Sequence, residues 1–222
     1  IKNTLDFKPK ILKRFVNLLN TPKEKTAVEQ FGKGDKYFGA MTLCATLPGL
    51  PMLGHGQVEG FTERYGMEYR RAYYDETPDQ GLIDYHQQQI FPLLKKRYLF
   101  AEVEHFVLYD AYTGDSVDEN VLVYSNQSGQ ERSLVAFNNT NAETKVWVRR
   151  SVGQSFKTGL GREIRQVSLG EGLRLSFDQR TFSIYRDLVT GLEFLHNNQK
   201  LHEQGLYLEL GPYQRKVFLD WR

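Results

Sequence analysis

A chain of 222 residues with 40% hydrophobic and 25% charged content has the make-up of an ordinary globular protein with one large or two small domains. Its 29 basic and 27 acidic residues, a net charge of +2, are mixed along the chain, so it lacks the basic block that nucleic acid or an anionic membrane surface calls for. Neither partner is expected. The one cysteine, Cys44, excludes an internal disulfide and lies among apolar residues, the setting of an inert buried thiol, which fits a cytoplasmic location. No apolar run approaches the roughly 18 residues of a spanning helix. No charged-then-apolar signal segment opens the chain, which begins at Ile1 and not at Met.

The first half reads as alternating helix and strand. Pro9 to about Phe15 begins helically, Val16 to Leu19 has the composition of a short strand, and Lys23 to Gln30 restarts a helix that Gly32 and Gly34 end. Asp35 suits the N-cap of a helix running to about Leu47, with Phe38, Met41, Leu43 and Ala45 on its apolar face. Pro51 to Leu53 is apolar enough for an inside strand. From Asp79 the apolar positions Leu82, Ile83, Tyr85, Ile90, Leu93, Leu94 and Tyr98 have helical spacing, with Pro92 expected to kink or interrupt it.

The second half changes character. Short runs rich in β-branched and aromatic residues occur at Val121–Ser125, Ser133–Asn138, Thr144–Val148, Leu173–Phe177, Thr181–Arg186, Leu206–Leu210 and Arg215–Trp221, separated by turn residues. They predict an antiparallel β-sandwich. The polar turn composition between Asp110 and Glu119 places the boundary there, giving an α/β segment over 1–112 followed by an all-β domain over 113–222.

The stretch Leu43 to Arg71, LCATLPGLPMLGHGQVEGFTERYGMEYRR, carries the most chemistry. An apolar run ends at a Gly-rich elbow, where Gly54, Gly56 and Gly60 let the backbone turn sharply with His55, Gln57 and Glu59 at the rim. Thr46, Leu47, Pro48, Gly49, Pro51, Gly56 and Gln57 match a TLPGxPxxxxGQ element, and on them the chain resembles the alpha-amylase superfamily, glycoside hydrolase family thirteen. Phe182–Asp187, Gly191–Phe194, Gly205–Tyr207 and Val217–Asp220 look like the carboxyl end of one amylase-like subgroup, so the resemblance covers nearly the whole chain. It implies the terminal portion of a (β/α)8 barrel followed by a β-sandwich. Such a barrel needs roughly 250 residues, so the resemblance also implies that this chain is the C-terminal part of something longer.

The resemblance further implies retaining hydrolysis or transfer at α-glucosidic bonds of a maltodextrin-like glucan. That chemistry needs a nucleophilic carboxylate and a carboxylic acid, which the family carries after the fourth and fifth barrel strands, upstream of Ile1. This chain alone is therefore not expected to be active. A third family carboxylate, an Asp, should fall within Val16–Glu24, where either Lys23 or Asn20 occupies its position. The first register is preferred because Glu24, Thr26 and Ala27 continue the subgroup's pattern. Neither residue is an acid, and a Lys facing an oxocarbenium-like centre opposes the charge that develops. Glu24 reads either as a partial substitute or as a favourable charge in a helix first turn.

Gln57 and Glu59 have the donors and acceptors to hold sugar hydroxyls, or to tie the loop together. His55 has the same two readings, and with no nearby Cys or second His it is not a metal ligand. Phe61, Tyr65, Tyr69, Tyr73 and Tyr74, interleaved with Arg64, Arg70, Arg71, Asp75 and Glu76, form either a glycan platform or a packed loop braced by salt bridges. Gly32–Lys36 lacks the spacing of a phosphate loop, and His196 and His202 read as surface loop and short helix. No cofactor is expected, and no carboxylate-rich loop marks a calcium site. The partners implied are an α-glucan and a polypeptide supplying the rest of the barrel. Two rivals stand: a non-catalytic glucan-binding protein, and a structural subunit docking through exposed apolar surface.

Overall fold

The structure is a computed structural model describing residues 9–158 and 161–222. A 3-10 helix, Pro9–Arg14, leads into β1, Val16–Asn17, and a loop then reaches α1, Ala27–Phe31. The expected helix at Lys23 starts four residues late, because Thr26 is the N-cap and the Glu29 carboxylate takes its backbone N–H at 3.1 Å. Gly32, at φ 76, ends α1 in the left-handed region. Helix α2, Asp35–Thr46, follows with Gly34 as N-cap, so Asp35 is its first residue and not its cap. Strand β2 is Leu50–Pro51, shifted back from the expected Pro51–Leu53, and pairs parallel with β1 through Val16↔Leu50 and Asn17↔Pro51.

The helical pattern after Asp79 breaks at Ile90 into α3, Gln80–Gln89, α4, Phe91–Lys95, and α5, Arg97–Phe100. Pro92 stands in the first turn of α4, where its missing N–H costs nothing. Asp79 caps α3 by accepting the Leu82 N–H at 3.1 Å.

The rest is one antiparallel sheet of nine strands: β3 (Val107–Thr113), β4 (Ser116–Val117), β5 (Val121–Ser128), β6 (Glu131–Asn138), β7 (Thr144–Ser151), β10 (Phe182–Asp187), β11 (Glu193–Asn197), β12 (Leu206–Leu210) and β13 (Arg215–Leu219). Its order is β11-β10-β13-β6-β5-β3-β7-β12, with β4 beside β3, and β8 (Gln154–Thr158) and β9 (Gly161–Arg165) form a separate hairpin. Two short helices, α6 (Leu169–Gly172) and α7 (Asn198–Glu203), complete the chain.

The stretch Asp110–Glu119, within which the sequence places the domain boundary, holds the end of β3, a turn with Gly114 at φ 61, and β4. One correction concerns the strands. Leu173–Phe177 is not a strand. Leu173 and Leu175 are buried as alternation predicts, but Arg174 between them has φ 51, so the run turns after α6 instead of extending.

Period-two alternation sends successive residues of the central strands into two cores. Leu122, Tyr124, Val135, Phe137, Val217 and Leu219 face the helices and join Tyr37, Phe38, Met41, Ile90 and Phe100. Val121, Val123, Leu134, Ala136 and Phe218 point the other way, where Leu206, Leu208 and Leu210 from one sheet end meet Tyr185 from near the other. The sheet therefore curls over its own core. Arg215 of β13, 2% exposed in its side chain, ties the two parts together, its guanidinium lying 5.5 Å from the Phe38 ring and 5.7 Å from the Tyr85 ring.

His86 is fully buried in the helical core, with Nδ1 2.8 Å from the Leu82 carbonyl oxygen. The Tyr37 hydroxyl is shared between His86 Nε2 at 3.0 Å and the Gln57 carbonyl at 3.2 Å. Burial holds the His86 pKa below its usual 6.5. Below 6.5 the unfolded chain thus binds a proton that the folded chain resists, and stability falls as pH drops from that value toward the folded pKa. His86→Gln is expected to flatten the fall in melting temperature between about pH 7 and pH 5 in a thermal-denaturation series. An unchanged slope would contradict the assignment.

Candidate functional site

Parallel strands direct the loops that follow them to the same side, and ligands gather at that carboxyl end. Here β1 runs into the loop 18–26 and β2 into the loop 52–79. The strand pair is fixed from below. Asn17 Nδ2 donates to the Leu47 and Pro48 carbonyls at 3.1 Å each, and the Cys44 thiol lies 3.0 Å from the Asn17 carbonyl. Burial pushes that thiol's pKa up to about 11, which keeps it protonated and unreactive. Gly49, at φ 111, lets the chain pass against the carbonyls of Leu12 and Phe15, where a Cβ would collide with both.

The structure brings Asn20 to the elbow: a Cβ on Gly54 would stand 3.5 Å from Asn20 Oδ1 and from Gln57 Oε1. Gln57 is buried, with Oε1 accepting the Gly54 N–H at 2.8 Å and Nε2 2.9 Å from the Met41 sulfur. Both ends of its amide thus have partners inside the protein. Glu59 is half-buried; its backbone carbonyl accepts the Asp79 N–H at 2.9 Å and its charge acts on Tyr37 and His86.

His55 is exposed and meets the Tyr65 ring edge-on at 4.2 Å, and Tyr65 meets Tyr69 at 4.3 Å. These three rings make a ladder beside the elbow. Lys23 is exposed on a turn, where its carbonyl accepts from Arg64 Nη1 at 3.1 Å. Arg70 is exposed and its guanidinium has no hydrogen bond or ion pair to a described residue. Glu24 lies in the loop before α1, not in a helix first turn, and its carboxylate takes the Thr21 N–H at 2.8 Å, which holds its pKa below the usual carboxylate value.

What residue types alone did not reveal is how the long loop is held. Glu63, 5% exposed, accepts the N–H groups of Tyr73 at 2.8 Å and Tyr74 at 3.1 Å. Glu76 returns the pattern, accepting from Thr62 N at 2.6 Å and Glu63 N at 2.9 Å, and these bonds hold its carboxyl below the usual range against the opposing effect of burial. Glu63 sits between Thr62 and Arg64 with no local signal of a partner ten residues on. Glu63→Ala should leave the global melting temperature nearly unchanged. It should speed amide exchange at Tyr73 and Tyr74 roughly 30-fold, for about 2 kcal/mol of lost local stability. Unaltered exchange would show that the clamp does not order the loop.

The arrangement supplies the Asn20 amide and the His55 imidazole for hydroxyls and ring faces for apolar sugar surfaces. Among the described residues no group of three or more His, Cys, Asp or Glu side chains is placed to hold a metal ion, and no helix is long and apolar enough to cross a membrane.

No family model and no curated protein matches the chain. Solved structures do. An alpha-amylase from Geobacillus thermoleovorans, complexed with acarbose, aligns with TM-score 0.59 at 15% identity over 95% of this chain and 39% of its own. A debranching enzyme from Nostoc punctiforme aligns with TM-score 0.61 at 15% identity over 99% of this chain and 38% of its own. The cyclomaltodextrin glucanotransferase CldA, described as having a three-domain ABC distribution, aligns with TM-score 0.57 at 18% identity over 100% of this chain and 40% of its own. The chain thus spans about two fifths of the length of these structures. At such identities the likeness is one of fold: this chain has an amylase-like fold, as the C-terminal part of such a protein would.

Proposed function

We propose that the chain is the C-terminal portion of an alpha-amylase-like enzyme acting on α-glucosidic bonds of maltodextrin-like glucans. In this reading the helical half, 1–112 by the sequence division, is the last part of a (β/α)8 barrel, and 113–222 is the β-sandwich behind it. The principal carboxylates belong to polypeptide outside these residues. The observation that carries the reading is the convergence of two loops, 18–26 and 52–79, at the carboxyl ends of a parallel strand pair within an amylase-like fold. Asn20, His55 and Tyr65 are the proposed sugar contacts, with Arg70 at the rim; Gln57 and Glu59 shape the elbow beneath them.

Turnover of maltoheptaose by the intact protein from its source, with products separated by chromatography, tests this. Shorter maltodextrins released with retained anomeric configuration are expected. The His55→Ala variant should raise KM about tenfold, the value of one lost ring contact. Absence of any product would contradict the catalytic reading. The residues Asn20 and Lys23, where an acid belongs, favour a second reading in that event: a protein that binds glucan without cleaving it.

A further inference from the structure

Away from the loops, the outer face of the sheet changes character across its width. Helices cover it at β5, β6 and β13, where Leu122, Tyr124, Phe137 and Val217 face them. At β3, β7 and β12 each strand sets one aromatic residue among its outward positions: Tyr112, Trp147 and Tyr207. Tyr112 pairs with Trp147, and Trp147 pairs with Tyr207, so the three rings stand in one row at matched register. Their inward neighbours Ala111, Val146, Val148, Leu206 and Leu208 are buried, which fixes the outward direction of the row by alternation. Strands lie about 4.8 Å apart, so the row extends about 10 Å, a stripe longer than one sugar ring.

The stripe is pre-ordered. The Tyr207 ring meets Trp147 at 5.4 Å, the Arg149 guanidinium stands 5.4 Å from the Trp147 ring, and the Tyr207 hydroxyl donates to Glu209 at 2.9 Å. Tyr207 nevertheless remains 42% exposed. Beside the row opens a recess of about 1080 Å³ whose lining includes Tyr112, Trp147, Arg149, Gln166, Glu203 and Gln204. Flat rings on one side and planar donors and acceptors of both charge signs on the other suit a neutral, hydroxyl-rich ligand with an apolar face. Arg149 and Arg150 offset Glu171 and Glu203 in that lining, so it has no excess of positive charge to select a polyanion.

We propose that Tyr112, Trp147 and Tyr207 form a second carbohydrate-binding site, on the sheet and separate from the loop site, that takes a linear α-1,4-glucan. The ring platform stands on its own geometry; the choice of an α-glucan rests on the function proposed above.

The chain has two tryptophans, and Trp221 is 9% exposed, so Trp221→Phe leaves Trp147 as the fluorescent reporter. Maltoheptaose should change its emission saturably. Calorimetry on the otherwise unaltered chain should show Trp147→Ala and Tyr207→Ala each weakening maltoheptaose binding about tenfold, with Trp147→Phe restoring part of it and circular dichroism unchanged. Maltoheptaose binding that is equally tight in both alanine variants would overturn the site while leaving the loop-site reading intact. Cellohexaose shifting Trp147 emission where maltoheptaose does not would overturn the α-glucan assignment. No binding of either sugar would overturn the proposal outright, and turnover by the intact protein would still decide the loop site separately.

Discussion

Arg97→Ala is expected to lower the unfolding free energy by about 3 kcal/mol, seen as a lower urea midpoint at unchanged slope. Helix α2 ends at Thr46 with carbonyls that have no partner within the helix. Arg97 supplies one from α5: Nη1 donates to Ala45 O at 2.8 Å, and Nη2 donates to Leu47 O at 2.8 Å and to Gly49 O. One planar fork therefore closes the helix, holds the Pro48–Gly49 bend and sets β2 beside β1. The side chain is half-buried, and desolvation holds its pKa below the usual guanidinium value, though it stays charged at any physiological pH. Alanine leaves the three carbonyls without this donor. Lysine carries the charge but not the fork, so Arg97→Lys should recover less than half of the loss. Full recovery by lysine would show that charge alone, and not the forked geometry, is what counts.

The second large effect is at Gly39, where a Cβ would overlap the Phe137 ring. Glycine within a helix ordinarily costs about 1 kcal/mol relative to alanine, so an exposed Gly39 would gain from Gly39→Ala. Here α2 lies directly on β6, and Phe137 is 2% exposed, so a Cβ at position 39 forces its ring to shift. Overpacking of such a contact costs about 1–3 kcal/mol. Gly39→Val adds a branched side chain without alanine's helix preference and should destabilise by about 3 kcal/mol. Phe137→Leu, combined with Gly39→Ala, should cost less than the two separate changes added together. A higher melting temperature for Gly39→Ala alone would mean that helix and sheet are not in close contact.

How much of this was legible depended on whether the signal was local. Strands β5, β6, β7 and β12 were anticipated because each contains a run rich in β-branched, aromatic or aliphatic residues bounded by turn residues, and Leu206–Leu210 was placed with its observed bounds. Strand β3 was not, since Asp110 and the turn at Gly114 gave it the polar look of a linker, although Tyr109 and Ala111 are fully buried. Leu173–Phe177 failed the opposite way, because alternation reports which side chains point inward and is silent on the left-handed Arg174 between them. At the loops, the elbow was evident from Gly54, Gly56 and Gly60, and the ring ladder from its run of tyrosines. Which alternative each polar residue takes was not. Gln57 faces Met41, 16 residues earlier, and Arg97 reaches carbonyls 48 to 52 residues away. Such pairings come from the fold and leave no spacing to read. The Tyr112–Trp147–Tyr207 row was hidden for the same reason, as it exists only once register is set.

Native mass spectrometry of the protein isolated from its source decides whether the chain is, as proposed, part of a larger glucan-active enzyme. The sequence is then expected within a species well above its own 25.8 kDa, in which a longer or second polypeptide supplies the remaining barrel strands with an Asp and a Glu for the chemistry. That species should convert maltodextrins. A well-folded species of 25.8 kDa travelling alone, with no turnover of maltodextrin, would contradict it.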